Sequence, residues 1–129
     1  MIVRTAIMAL SLAAGGALQA RAQDTAAGEK VFARCRSCHQ VGGTARNGIG
    51  PKLNGIVGAH SAAVADFHYS DALKRSDLVW DDANLRAYLA KPIAKVPGTK
   101  MAYPGLPSEK DQADVIAYLG RFSADGTTP

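Results

Sequence analysis

Five consecutive residues, Cys35-Arg36-Ser37-Cys38-His39, constrain this chain more than any other feature. The two cysteines are the only ones in the sequence, and a histidine directly follows the second. The C-x-x-C-H arrangement reads as covalent haem attachment. Residues three apart on a helical turn share one side, so both sulfurs can face the two vinyl groups of a porphyrin. His39, delivered by the same turn, then reaches the iron with an imidazole nitrogen, a suitable axial ligand. A dithiol oxidoreductase also uses C-x-x-C, but within a βαβ setting, and no β-branched strand run precedes Cys35. A zinc site needs a second ligand pair, and there is no third cysteine to begin one. A plain disulfide is the remaining alternative for an exported pair.

Export is read from the first residues. Met1 to Arg4 give a short positive start, Thr5 to Ala20 a small-residue apolar stretch, and Ala20-Arg21-Ala22 an A-x-A cleavage site. Gly15, Gly16 and Gln19 interrupt the apolar run, which falls short of the roughly 20 apolar residues of a spanning helix. The expectation is a cleavable secretory signal over residues 1–22 and a single domain over residues 23–129, located in the periplasm. Cleavage removes Arg4 and Arg21 and lowers the formal charge from +4 to +2. That charge is too weak to suggest nucleic acid as a partner. A domain of this size buries only about two thirds of its unfolded surface and is marginal without a disulfide, metal or cofactor. With aromatic residues at 6%, a large apolar cofactor is a natural core filler.

An electron carrier needs a second axial ligand, because an open position on the iron invites oxygen or peroxide chemistry. Met1 and Met8 lie in the expected signal, which leaves Met101. It sits in Val96-Pro97-Gly98-Thr99-Lys100-Met101, a segment of turn residues without helical periodicity. A thioether favours reduced iron and raises the potential relative to bis-histidine ligation. His60 and His68 are the competing ligands, and both read as solvent-facing.

Local signals predict an all-α chain. Asp24 or Thr25 caps a first helix running to about Arg36, with the cysteine motif at its C-terminal end. Residues 41–68, rich in Gly, Ala and Asn, read as a long ordered loop with neither strand nor helix. Ser70-Asp71 caps a short helix to about Arg75, and Asp81 or Asp82 caps another to about Lys91, stopped by Pro92. Leu85, Tyr88 and Leu89 form the inner stripe of that second helix. A last helix starts at Ser108, with Val115, Tyr118, Leu119 and Phe122 at i, i+3, i+4, i+7.

With these residues assembled, the chain resembles the class I cytochromes c, particularly the soluble bacterial and mitochondrial-type carriers. The resemblance spans essentially all of residues 23–129. It rests on Gly28-x-x-x-Phe32, the Cys35–His39 motif, Gly50-Pro51, Phe67-x-Tyr69-Ser70, Trp80, Tyr88, Pro97-Gly98-Thr99-Lys100-Met101 and Ala117-Tyr118-Leu119. It implies a small cytochrome c fold, with N- and C-terminal helices crossing and short helices and long loops wrapped around one covalent haem c. Gly28 is then expected opposite Tyr118. Pro51 matches the position whose carbonyl holds the ligating histidine, so the metal ligands are expected to be His39 and Met101. Tyr69 and Trp80 match residues that hydrogen-bond a haem propionate, and Tyr88 and Thr99 match positions beside the methionine. Together with Cys35 and Cys38, these form the expected cofactor site.

Three departures stand out. Ala59 replaces the family's usual arginine after Gly58, with His60 as a conceivable substitute, and Leu73 replaces a frequent buried asparagine. The lysine ring that surrounds the exposed haem edge in mitochondrial members is reduced to Arg34, Arg36, Lys52 and Lys100. The resemblance implies a monomeric, non-enzymatic one-electron carrier between a quinol:cytochrome c reductase and a terminal oxidase or photosynthetic reaction centre. The alternatives are a haem subunit of a particular periplasmic dehydrogenase or oxidase, and a gas or peroxide sensor.

Overall fold

Side-chain caps start most of the helices. The structure, a computed structural model, describes residues 24–129; the expected signal at 1–22 and residue Gln23 lie outside the described residues. Helix α1 (Thr25–Phe32) begins at Asp24, whose carboxylate accepts from the N–H groups of Ala26 and Ala27, both at 3.0 Å. Helix α2 (Asp71–Arg75) begins at Ser70, α3 (Asp82–Ala90) at Asp81 and α5 (Glu109–Leu119) at Ser108, each side-chain oxygen accepting from the backbone three residues on. Such caps satisfy amide protons that have no carbonyl partner within the first turn.

Two helix boundaries differ from expectation. Helix α1 ends at Phe32 instead of running to Arg36, because the next amides turn to carbonyls three residues back: Arg34 N–H to Val31 at 3.1 Å, Cys35 N–H to Phe32 at 2.8 Å. The cysteine motif therefore sits in tightened turns beyond the helix. Pro92 does not merely stop α3; it opens a further short helix, α4 (Pro92–Lys95). The ring of Pro92 forces Lys91 into extended backbone (φ −160°, ψ 93°), which ends one helix and admits the next.

The long loop holds its shape by backbone pairing with a segment some twenty positions away. His60 and Val79 form an isolated antiparallel bridge, the only β pairing among the described residues. Ser61 N–H to Leu78 O at 2.7 Å and Trp80 N–H to Ala59 O at 2.8 Å flank it. The loop holds neither strand nor helix, as expected; the single bridge left no local periodicity to read, because its partner lies outside hairpin range.

Helices α1 and α5 cross as expected. Phe32 and Val115, each 1% exposed, form the centre, and the Phe32 and Tyr118 rings lie 5.5 Å apart. Gly28 makes the crossing close: a Cβ there would overlap the Asp114 carbonyl and stand 2.8 Å from Tyr118 Cβ. A second apolar cluster joins Trp80, Leu85, Tyr88, Val96 and Ile116, with Leu73, Leu89 and Met101 packed on it. Helix α5 serves both clusters, giving Val115, Tyr118 and Leu119 to one and Ile116 to the other. No described helix is long and apolar enough to cross a membrane.

The crossing also has a polar tie. The carboxylate of Asp114, on α5 and 3% exposed, accepts from Asp24 N–H at 3.1 Å and from the Lys110 ammonium. The Lys110 bond first, and then the Asp24 N–H, hold this carboxyl below the usual carboxylate range.

Gly28→Ala will destabilise the protein despite alanine's better helix propensity. Overpacking against a backbone carbonyl costs about 1–3 kcal/mol, more than the ~1 kcal/mol that alanine gains over glycine in a helix. Denaturant unfolding of the haem-loaded protein measures the net loss. Because the folded-state pKa of Asp114 is depressed, its contribution is present above the unfolded carboxylate pKa and is lost as pH falls through the folded one. Asp114→Asn will therefore lower the unfolding midpoint at neutral pH, while the difference from the parent shrinks below about pH 4. A constant difference from neutral to acid pH would contradict this role.

Candidate functional site

The cysteine motif closes on one carbonyl. The Cys35 oxygen accepts from Cys38 N–H at 3.1 Å and from His39 N–H at 2.8 Å, so a single turn of backbone survives although α1 has ended. No disulfide joins Cys35 to Cys38. Burial pushes the Cys35 thiol up, opposed by the charge of Arg34, with Cys38 adding a smaller push upward.

His39 is fixed on two sides. Its Nδ1 lies 2.7 Å from the Pro51 carbonyl oxygen. A carbonyl only accepts, so Nδ1 carries the proton and the lone pair resides on Nε2. Burial lowers the His39 pKa and the Pro51 bond opposes it, which favours the neutral ring that metals require. Gly50 presses on the imidazole so closely that a Cβ there would overlap the ring, with Nδ1 at 2.7 Å. The segment bearing Gly50 and Pro51 is laced to the motif by Gly50 N–H to Cys38 O at 2.9 Å and Leu53 N–H to Gln40 O at 3.0 Å. Lys52 N–H bonds the Asn47 side chain at 2.9 Å, and Arg46 N–H bonds that of Gln40 at 3.0 Å.

On another segment, Met101 is held half-buried against the second apolar cluster. The Tyr88 hydroxyl, reaching out from α3, lies 2.6 Å from Thr99 Oγ1, which accepts from Met101 N–H at 3.3 Å. Burial raises the Tyr88 pKa, and the Thr99 bond opposes it. The far end of the segment is tied by Leu106 N–H to Leu89 O at 2.7 Å, and by the buried Gln112 side chain donating to Leu106 O at 2.7 Å.

The structure thus brings Cys35, Cys38, His39 and Pro51 together as one unit, and Trp80, Tyr88, Thr99 and Met101 as another, the Trp80 and Tyr88 rings 4.9 Å apart. Tyr69 stands in the long loop, its ring edge-on to Phe67 at 4.9 Å and its oxygen accepting from Val64 N–H at 3.1 Å. Among the described residues, neither the phenolic proton of Tyr69 nor the indole N–H of Trp80 meets an acceptor. His60 is exposed, and Leu73 packs its apolar surface against the Trp80 cluster. Of the four expected surface cations, Arg34 pairs with Asp111 at 3.5 Å and Arg36 with Glu29 at 3.6 Å, and Arg36 also stacks over the Phe32 ring. Lys52 and Lys100 make no ion pair with a described carboxylate.

Sequence reading missed the contact of Gly50 with the imidazole and the Gln112 latch. The first had a signal in the Gly-Pro pair; the second had none, since a polar residue one turn into a helix reads as solvent-facing.

Two thiols, an imidazole with its outward nitrogen free, a half-buried thioether on a tethered segment and two donors without an acceptor form a donor set that fits a covalently bound haem. Comparison with known proteins agrees. The sequence pattern of the cytochrome c family matches residues 25–122. Cytochrome c-554 of Methylosinus trichosporium is 50% identical over 98% of this chain and 94% of its own length. Cytochrome c2 of Rhodoblastus acidophilus is 49% identical over 82% of this chain and 99% of its own. The solved structure of cytochrome cH from Methylobacterium extorquens shares 52% identity, covers 75% of this chain and 97% of its own, and superposes with a TM-score of 0.71. The chain belongs to the cytochrome c family, and it has that family's all-α fold. It is an electron-carrying haem protein with one covalent haem c, for which Cys35 and Cys38 supply the attachment motif.

Gly50→Ala will push the imidazole off the Pro51 carbonyl. The change should appear as loss or displacement of the His39 Nδ1–H resonance in the haem-loaded protein; an unmoved resonance would show that Gly50 does not set the ring.

Proposed function

We propose that this cytochrome c is a soluble, periplasmic one-electron carrier whose iron is ligated by His39 Nε2 and Met101. Its partners are a membrane-bound quinol:cytochrome c reductase on one side and a terminal oxidase or photosynthetic reaction centre on the other. The observation that carries this reading is the separate holding of the two residues, the His39 ring through Pro51 and the Met101 backbone through Thr99 and Tyr88. Bound haem supplies the one-electron iron couple; the protein's contribution is to set its potential and keep water away. An imidazole whose proton is committed to a carbonyl presents a firm, basic nitrogen to a metal. A methionine whose segment is tied at both ends resists leaving, which favours a closed carrier over a sensor or peroxide catalyst, and so supports the absence of enzymatic chemistry. Tyr69 and Trp80 offer their donors to propionate oxygens.

Periplasmic location rests on the signal read in residues 1–22. Docking at the haem edge draws on Lys52 and Lys100, and on Arg34 and Arg36 as well. The ion pairs of these arginines are exposed, and exposed pairs contribute about 0–1 kcal/mol, so a partner's carboxylates can exchange with Asp111 and Glu29. The chain acts as a monomer and binds no nucleic acid.

Met101→Ala will lower the reduction potential, within the roughly 0.8 V range over which axial ligands set it, and will let the reduced protein bind carbon monoxide at neutral pH. Redox titration with visible spectroscopy reads both. An unchanged potential removes Met101 from the iron, and rapid carbon monoxide binding by the unsubstituted protein would favour the sensor instead.

A further inference from the structure

A cleft of about 380 Å³ opens between the C-terminal ends of α2 and α4, on a part of the surface that the haem-site residues do not line. Ala72, Leu78, Val96 and Pro97 give it apolar lining, and Arg75, Lys95 and Ser76 give it polar lining. Neither cation forms an ion pair with a described carboxylate, whereas the neighbouring Lys74 is paired with Asp71 at 3.3 Å. Among the described residues no carboxylate lines the cleft. Asp77 follows close by in sequence but is exposed and outside the lining. The Ser76 hydroxyl at the edge is already committed to Leu73 O at 2.8 Å and Ser61 Oγ at 3.1 Å, so it offers no donor to a guest.

Each cation stands in the last turn of its helix, where it offsets the negative end of the helix dipole. That effect is local to each helix and does not explain why two like charges from different elements share one cleft. Two cations without a carboxylate partner on one cleft, and no carboxylate in its lining, make the cleft attractive to an anion. We infer that this cleft binds a small organic anion, a carboxylate or phosphate ester with an apolar body, the head group between Arg75 and Lys95 and the body on Ala72, Leu78 and Val96. The apolar body matters because each methylene taken out of water strengthens binding about fourfold.

The test uses the reduced, haem-loaded protein at constant ionic strength. Hexanoate and hexyl phosphate are titrated in, with acetate and inorganic phosphate as counterparts lacking the body, while the backbone amide resonances of Ala72, Ser76, Leu78 and Val96 are followed. Saturable shifts are expected with the hexyl compounds, and affinities at least about tenfold weaker with the short ones. The two head groups distinguish a carboxylate from a phosphate site. The double variant Arg75→Gln, Lys95→Gln, with its visible spectrum and unfolding midpoint preserved, should weaken hexyl binding about tenfold or more. Shifts that never saturate, equal affinity for long and short anions, or undiminished binding by the double variant would each overturn the site. Binding is read directly, so the result is independent of which residues ligate the iron.

Discussion

At Gly28, under the Asp114 carbonyl, helices α1 and α5 come so close that a Cβ would overlap the backbone, and the remaining architecture hangs from that crossing. Because α1 leads directly into the cysteine motif, fixing α1 against α5 fixes where Cys35, Cys38 and His39 stand. Because α5 also contributes Ile116 to the second apolar cluster, the same crossing fixes the ground against which Met101 packs. The Phe32 and Tyr118 rings pack against each other across the crossing, and Asp114 adds a tie from its carboxylate to the start of α1. A methyl group at this one point is felt on both sides of the haem site, since packed interiors transmit displacement instead of absorbing it.

The segments bearing His39 and Met101 are held by different physics. On the His39 side the restraints are almost entirely hydrogen bonds, from Gly50, Leu53, Lys52 and Arg46 to the motif and its surroundings, with the ring pressed by a glycine. On the Met101 side a short polar chain, Tyr88 to Thr99 to the Met101 amide, is embedded in an apolar cluster that includes Leu73. Hydrogen bonds of this kind are directional and are strengthened by burial, which suits them to orienting an imidazole. Apolar packing excludes water without fixing direction, which suits a flexible thioether that must stay dry. The substitution of leucine for the family's frequent asparagine extends that dry surface.

Surface charge divides along similar lines. Arg34 and Arg36, flanking or lying within the attachment motif, are shared with carboxylates of α5 and α1, whereas Lys52 and Lys100 are unshared. A carrier that must dock and leave benefits from weak, exchangeable pairs, because long-lived attachment would limit turnover. Arg75 and Lys95 stand apart from that group, on a cleft of their own.

What the sequence determined by itself is what depends on near neighbours. The attachment motif, the caps at Asp24, Ser70, Asp81 and Ser108, and the apolar stripe of α5 all follow from residues within a few positions of one another, and the structure has each of them. The cytochrome c membership was legible for the same reason, since its motifs are short and fall in order. The end of α1 at Phe32, the helix opened by Pro92 and the His60–Val79 bridge were not. The first two turn on competition between nearly equal local hydrogen-bond patterns, and the third joins residues that share no turn. Only the tertiary structure decided that Gly50 presses the imidazole, that Gln112 latches the Met101 segment and that two unpaired cations meet over one cleft. Those contacts arise between residues whose separation along the chain carries no periodic signal, and they exist only once the helices have been brought together.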